Sequence, residues 1–214
     1  MKASHFIPLD TALAATLGLF ISGLLSRWSQ TLLSAIHESA KTKSPLVLVQ
    51  LCCGATTGTI SIERSFDEAA TICVVAALLV IQLPLDVLTR RLSRAITVGA
   101  FVGMLTISFV RISFRDDGED SLKSLLLSAV IVGLFTVLHV VSPNSLGFGD
   151  VLLVAPLTIA VTSLSMFAGV LWLIASCGLA AAHGVVILIR RGERDLPFGP
   201  YLLGTAWALL VVGV

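Results

Sequence analysis

Residues 146–162 read LGFGDVLLVAPLTIAVT, and Asp150 within that stretch decides how the chain is to be folded. The acid ends Gly147-Phe148-Gly149-Asp150 and opens an apolar run, in a chain where only 13% of residues are charged. A carboxylate is costly to place against lipid, so an acid at a membrane boundary marks a functional site by default. A second acid, Asp86, closes the apolar run Ala76 to Leu85. Two lone aspartates at equivalent depth point to one shared site.

Composition agrees with a membrane setting. Of 214 residues, 56% are hydrophobic, and the mean hydropathy is +0.99. Soluble domains typically hold about 45–50% apolar residues even with Gly counted. The chain is therefore expected to be an all-α polytopic membrane protein. A spanning helix needs roughly 17–25 apolar residues, which allows about six to eight spans. Charge interruptions place eight, near 9–26, 45–62, 69–87, 95–112, 122–141, 150–165, 167–189 and 199–214. The sixth and eighth are short for a full crossing, which suits a broken or re-entrant helix. The first follows Lys2 like a signal peptide, but no small-residue cleavage site leads into a soluble domain, so it reads as a retained span. A net charge of +1, with no basic run interleaved with aromatics, excludes nucleic acid as a partner.

Lys and Arg set the orientation. With the N-terminus outside, the inner loops hold Arg27, Lys41, Lys43, Arg90, Arg91, Arg94, Arg190, Arg191 and Arg194. The outer segments hold Lys2, Arg64, Arg111, Arg115 and Lys123, nine against five in favour of this arrangement. It places Asp86 and Asp150 together at the cytoplasmic edge. Residues 1–43 then form one span plus a short cytoplasmic loop, and residues 44–214 form the membrane core.

Three motifs fall in one order. Leu85-Asp86-Val87-Leu88-Thr89-Arg90-Arg91-Leu92 ends a span in a basic loop, Gly147-Phe148-Gly149-Asp150 opens another, and Leu196-Pro197-Phe198-Gly199-Pro200 follows a later basic loop. In this order and spacing they resemble the prokaryotic type IV prepilin peptidases, members of the GxGD class of intramembrane aspartic proteases. The resemblance runs from about Ser44 to the C-terminus. It implies a GxGD-type bundle with Asp86 and Asp150 catalytic, and with Gly147, Phe148, Gly149, Pro197, Phe198, Gly199 and Pro200 shaping the site or binding substrate. The implied substrate is a type IV prepilin or pseudopilin precursor, cut at its leader on the cytoplasmic face of the cell membrane. The pattern departs from the family at two places. Leu92-Ser93-Arg94 stands where a Pro followed by Asn or Asp is usual, and Leu152 stands where a Lys is common.

The residue types suit that chemistry. One carboxylate takes a proton from the attacking water while a protonated carboxyl polarises the scissile carbonyl. Like charges a few ångström apart do not both ionise readily, so such a pair shares one proton and titrates as a unit. Gly147 and Gly149 let the chain turn tightly and a substrate backbone approach. Arg90, Arg91 and Arg94 either hold Asp86 ionised or serve as anchors on the inner face. Pro84, close before Asp86, is placed to kink its helix.

The remaining polar residues read as structural. His139 and His183 are expected to be hydrogen-bonded in the core, with tuning of the site as the alternative for His139. Cys52, Cys53, Cys73 and Cys177 lie in apolar runs with no C-x-x-C pair, so they read as small buried hydrophobes and offer no zinc site. No cofactor is expected. Gly178, Ala180, Ala181, Ala182 and Gly184 suit close helix packing. The loop from Asp116 to Asp120 reads as solvated, without the ligand pattern of a calcium site. The long prepilin peptidases resemble two-function enzymes with a cysteine-rich cytoplasmic domain. The matching Arg27–Lys43 loop has no cysteine and no Gly-rich nucleotide loop, so methyl transfer is not expected; Trp28, Leu32, Leu33 and Ile36 suggest an amphipathic surface helix. Two alternatives stand beside the peptidase: an ion- or proton-coupled transporter using the same acids, and an inactive peptidase homologue.

Overall fold

A computed structural model describes residues 66–89, 92–114, 118–142, 146–191 and 198–213. The expected spans at 9–26 and 45–62, the 27–43 loop and the boundary at residue 43 lie outside the described residues. Within them the chain is all-helical: α1 (Phe66–Thr89), α2 (Arg94–Phe114), α3 (Gly118–Val141), α4 (Phe148–Thr162), α5 (Met166–Arg191) and α6 (Gly199–Val212). Each coincides with an expected apolar run, because charges and turn residues punctuate the sequence where lipid would no longer tolerate a gap in backbone hydrogen bonding.

Three helices, over Arg94–Ser113, Gly118–Val141 and Met166–Ile189, are long and apolar enough to cross a bilayer. Together with the composition, they make this a membrane protein. The other three have shorter apolar stretches, Glu68–Leu83, Phe148–Thr162 and Gly199–Val212. The outer faces of α2, α3 and α5 expose Phe109, Val130, Ile174 and Ile189, each more than 60% accessible, as suits a surface solvated by lipid.

Helix α4 is the axis of the bundle and packs against all five others. It is apolar around its whole circumference, which is the pattern of a helix buried on every side. Val151, Leu153, Val154 and Pro156 through Thr162 are all buried. Its two threonines return their hydroxyls to their own helix, Thr158 Oγ1 to Val154 O at 2.9 Å and Thr162 Oγ1 to Thr158 O at 2.7 Å. Ser124 and Ser128 of α3 bond Thr162 at 2.7 and 2.8 Å. Trp172 of α5, fully buried, donates its indole N–H to Leu202 O of α6 at 3.0 Å. Gly213 ends α6 in the left-handed region at φ 74°, returning its N–H to Leu209 O.

Several expectations are corrected. Cys73 and Cys177 are exposed, not buried. Of Gly178, Ala180, Ala181, Ala182 and Gly184, only Ala180 is buried; Gly184 is partly buried, and Gly178, Ala181 and Ala182 are not covered by the other described helices. His183 is exposed and bonds the Tyr201 hydroxyl.

Candidate active site

Helices α1 to α6 alternate in direction, so the last turn of α1 and the first turns of α2, α4 and α6 gather at one end. Asp86 and Asp150 are both there. Asp86, in the last turn of α1, is only 6% exposed. Asp150 is the third residue of α4 and half-buried. Their carboxyls lie near enough for the charge of one to act on the other.

Asp150 is held by its own helix start. Gly147 is the N-cap, and its carbonyl accepts the Asp150 backbone N–H at 3.0 Å. In return the Gly147 backbone N–H donates to the Asp150 carboxyl. This is one half of a capping box, with Asp in place of the usual Glu or Gln at the third helical position; glycine has no side chain for the other half, and its carbonyl accepts the Asp150 N–H instead. A Cβ at Gly147 would lie 3.2 Å from Asp150 Oδ2. Gly147 has φ −67° and ψ 141°, an ordinary extended conformation. Among the described residues only Gly213 has a positive φ, so Gly147 and Gly149 do not serve a left-handed turn. They serve close approach. A Cβ at Gly149 would meet Leu92 Cδ1 at 3.4 Å and Leu92 Cβ at 3.5 Å.

Asp86 is covered by Gly199. A methyl there would lie 3.2 Å from Asp86 Cγ, nearer still to Oδ2, and 3.7 Å from Leu153 Cδ2. Only glycine lets the start of α6 sit on the carboxyl and on the first turns of α4 at once. Pro200 follows in the first turn of α6, where its missing N–H has no helical partner to lose. Phe198, the N-cap, stacks on Phe135 of α3 with centroids 6.2 Å apart. Pro197, Arg90 and Arg91 lie outside the described residues.

Phe148, half-exposed at the mouth, lies between a cation and an imidazole. The Arg94 guanidinium sits 5.8 Å from its ring centroid, and the His139 ring lies 5.7 Å away. Arg94 therefore engages Phe148, one of the two roles weighed for it being interaction with Asp86. His139 is hydrogen-bonded as expected, Nδ1 to Leu146 O at 2.7 Å, and closes the α3–α4 connection beside the acids.

Sequence reasoning missed Gln82, fully buried one turn before Asp86. An amide alone in the run Ala76 to Leu85 was a readable signal. Its Nε2 donates to Ser93 O and Thr97 Oγ1, both at 2.9 Å, and its Oε1 accepts the Ser93 N–H at 2.9 Å.

The opposite end of the bundle holds a separate polar cavity of about 500 Å³, bounded by Glu68, Ser108, Arg111, Asp120, Ser124 and Thr162 among others. Asp120 and Glu119 there bridge to Lys123 at 3.3 and 2.9 Å. No family model, no curated protein and no solved structure matches the chain.

Proposed function

We propose that this protein is an intramembrane aspartic endopeptidase with Asp86 and Asp150 as its dyad. One observation carries the reading: two acids 64 positions apart, on different helices, meet at one end of the bundle with a glycine pressed on one and a helix N-terminus holding the other. In the reaction, the ionised carboxyl takes a proton from water as the oxygen adds to the peptide carbonyl carbon. The protonated carboxyl gives its proton to the carbonyl oxygen. The first carboxyl then gives its new proton to the amide nitrogen while the second takes one back from a hydroxyl of the tetrahedral intermediate, so the C–N bond breaks, acid and amine leave, and the pair is restored.

The order of the motifs around Asp86, Asp150 and Gly199 supports the narrower reading. The substrate is a type IV pilin-like precursor, cut between its basic leader and its apolar helix at the cytoplasmic face of a prokaryotic cell membrane. The full bundle is then of the GxGD kind, with about eight spans. Co-expression with a candidate prepilin tests this directly. Loss of the leader, seen as a mobility shift, is expected with the unaltered chain and not with Asp86→Asn or Asp150→Asn. Full processing by either variant refutes the dyad.

The polar cavity at the far end favours one second reading, a proton- or ion-coupled transporter that uses the same acids. Proteoliposomes separate the two. Asp86-dependent proton flux without cleavage supports transport; cleavage without flux supports the peptidase.

A further inference from the structure

Helices α1 and α4 carry the two acids, yet their mutual contact is the least extensive of the helix pairs that touch. Other segments bridge the two helices. The start of α6 does so at Gly199, and the connection from α1 to α2 does so at three consecutive residues. Leu92 lies against Gly149, at 3.4 Å from its Cβ position. Arg94 lies over the Phe148 ring. Ser93, between them, is held on both its main-chain groups by the Gln82 amide.

Gln82 is unusually well matched to this task. Both of its N–H hydrogens and its carbonyl are used, by Ser93 O, Thr97 Oγ1 and Ser93 N. Thr97 completes the ring by donating its hydroxyl to Ser93 O at 3.0 Å and its backbone N–H to the same oxygen at 3.1 Å. Ser93 precedes the first residue of α2. In a capping box, a Glu or Gln three positions into the helix would satisfy the Ser93 N–H. Here that position is Ile96, which has no polar group, and Gln82 supplies the bond from α1 instead. Gln82 and Asp86 are four residues apart, so they share one face of α1. The start of α2, the turn before Asp150 and the helix of Asp86 are thereby tied to one buried amide.

We propose that Gln82 is a positioning residue that sets the separation of the Asp86 and Asp150 carboxyls, by holding residues 92–94 against Phe148 and Gly149. The inference deepens the peptidase reading and rests on it for its kinetic consequence alone.

Two measurements on the full chain separate the two ideas. The first needs no activity. With Cys52, Cys53, Cys73 and Cys177 replaced by Ser, the pair Leu92→Cys and Gly149→Cys brings two Cβ positions to 3.5 Å, within the range of a disulfide. Oxidation should crosslink them readily. Adding Gln82→Met, which keeps the length and removes the polar groups, should slow crosslinking by roughly tenfold or more, because both bonds to Ser93 are lost. An unchanged rate overturns the clamp whether or not the protein cuts anything.

The second measurement compares cleavage of a prepilin by chains that retain Leu92 and Gly149. Gln82→Met should lower kcat by about 100-fold, the scale of a displacement of about 1 Å at a reacting centre, with KM little changed. Thr97→Val, which removes one acceptor, should lower it less, and Thr97→Ser should restore it. A Gln82→Met chain that crosslinks slowly but cuts at the normal rate overturns the positioning role. If the unaltered chain crosslinks yet cuts no prepilin, the peptidase reading fails and the crosslinking comparison alone decides the clamp. Should Gln82→Met not fold, the same comparison is made between Thr97→Val and Thr97→Ser. Equal crosslinking in that pair overturns the proposal.

Discussion

Replacing Gly199 by Ala adds one carbon, and the structure says where it goes. It would lie 3.2 Å from Asp86 Cγ and closer to Oδ2, with Leu153 Cδ2 at 3.7 Å on its other side. The carboxyl has little room to retreat, since Asp86 is only 6% exposed. Either the side chain or the start of α6 must move by about 1 Å, a displacement able to cost on the order of 100-fold in rate at a reacting centre. Overpacking of this kind destabilises by about 1–3 kcal/mol. The internal control is Gly204, on the same helix, where an added carbon meets nothing within 4 Å. Gly204→Ala should stabilise by about 0.5–1 kcal/mol, because Gly loses more freedom than Ala in a helix. Thermal unfolding in detergent and cleavage of a prepilin measure both effects. Gly199→Ala is expected to lose stability and nearly all activity, and Gly204→Ala to keep activity with a raised melting temperature. A folded Gly199→Ala chain that cuts at the normal rate would refute the contact between α6 and the dyad.

Other consequences follow from single contacts. Asp150→Asn keeps an oxygen that can accept the Gly147 N–H, so α4 should start normally and stability should change by less than about 1 kcal/mol while cleavage is abolished; circular dichroism and leader loss check the two halves. Trp172→Phe removes the bond to Leu202 O and should cost about 1–3 kcal/mol in unfolding free energy. Ser142→Cys and Glu119→Cys lie at opposite ends of α3; a thiol reagent that cannot cross membranes should label only the second in intact cells. Chelators should leave cleavage unchanged, since the proposed chemistry uses carboxyls and water alone.

The helices were readable because polar punctuation is forced on a chain that lives in lipid. The runs at 69–87, 95–112 and 122–141 emerge as Phe66–Thr89, Arg94–Phe114 and Gly118–Val141. The short sixth and eighth runs emerge as the 15-residue α4 and the 14-residue α6. The convergence of Asp86 and Asp150 was readable too, since topology places both at one end. What escaped depends on contacts between distant segments. Nothing local to Gly199 says that Asp86 lies against it, and nothing local to Ser93 says that its cap comes from Gln82. The outward placement of Cys73, Cys177 and His183 escaped for a related reason. In lipid an apolar run does not tell which of its faces is inside, because both faces are apolar.

The lengths of the central helices bear on what the acids do. Helices α2, α3 and α5, of 21, 24 and 26 residues, are roughly 32, 36 and 39 Å long at 1.5 Å per residue, enough for a hydrocarbon core of about 30 Å. By the same rise α4 and α6 are only about 22 and 21 Å long. A short helix surrounded by long ones cannot reach both membrane faces. At one end of α4 this leaves the polar cavity beside Thr162; at the other it bears on Asp150, at the start of the helix. A relay would need polar groups joining these ends. Along the face of α4 spaced by four residues, the sequence is Asp150, Val154, Thr158, Thr162. Val154 is wholly buried, and the Thr158 hydroxyl is turned back onto the Val154 carbonyl. Leu153 and Leu157 are wholly buried on the same helix. Among the described residues, α4 therefore carries an apolar layer between the two acids and the cavity. That arrangement favours chemistry confined to one end of the bundle over conduction through it. The proposed cleavage suits such an end, because breaking a backbone bond needs water at the carboxyls and no path beyond them.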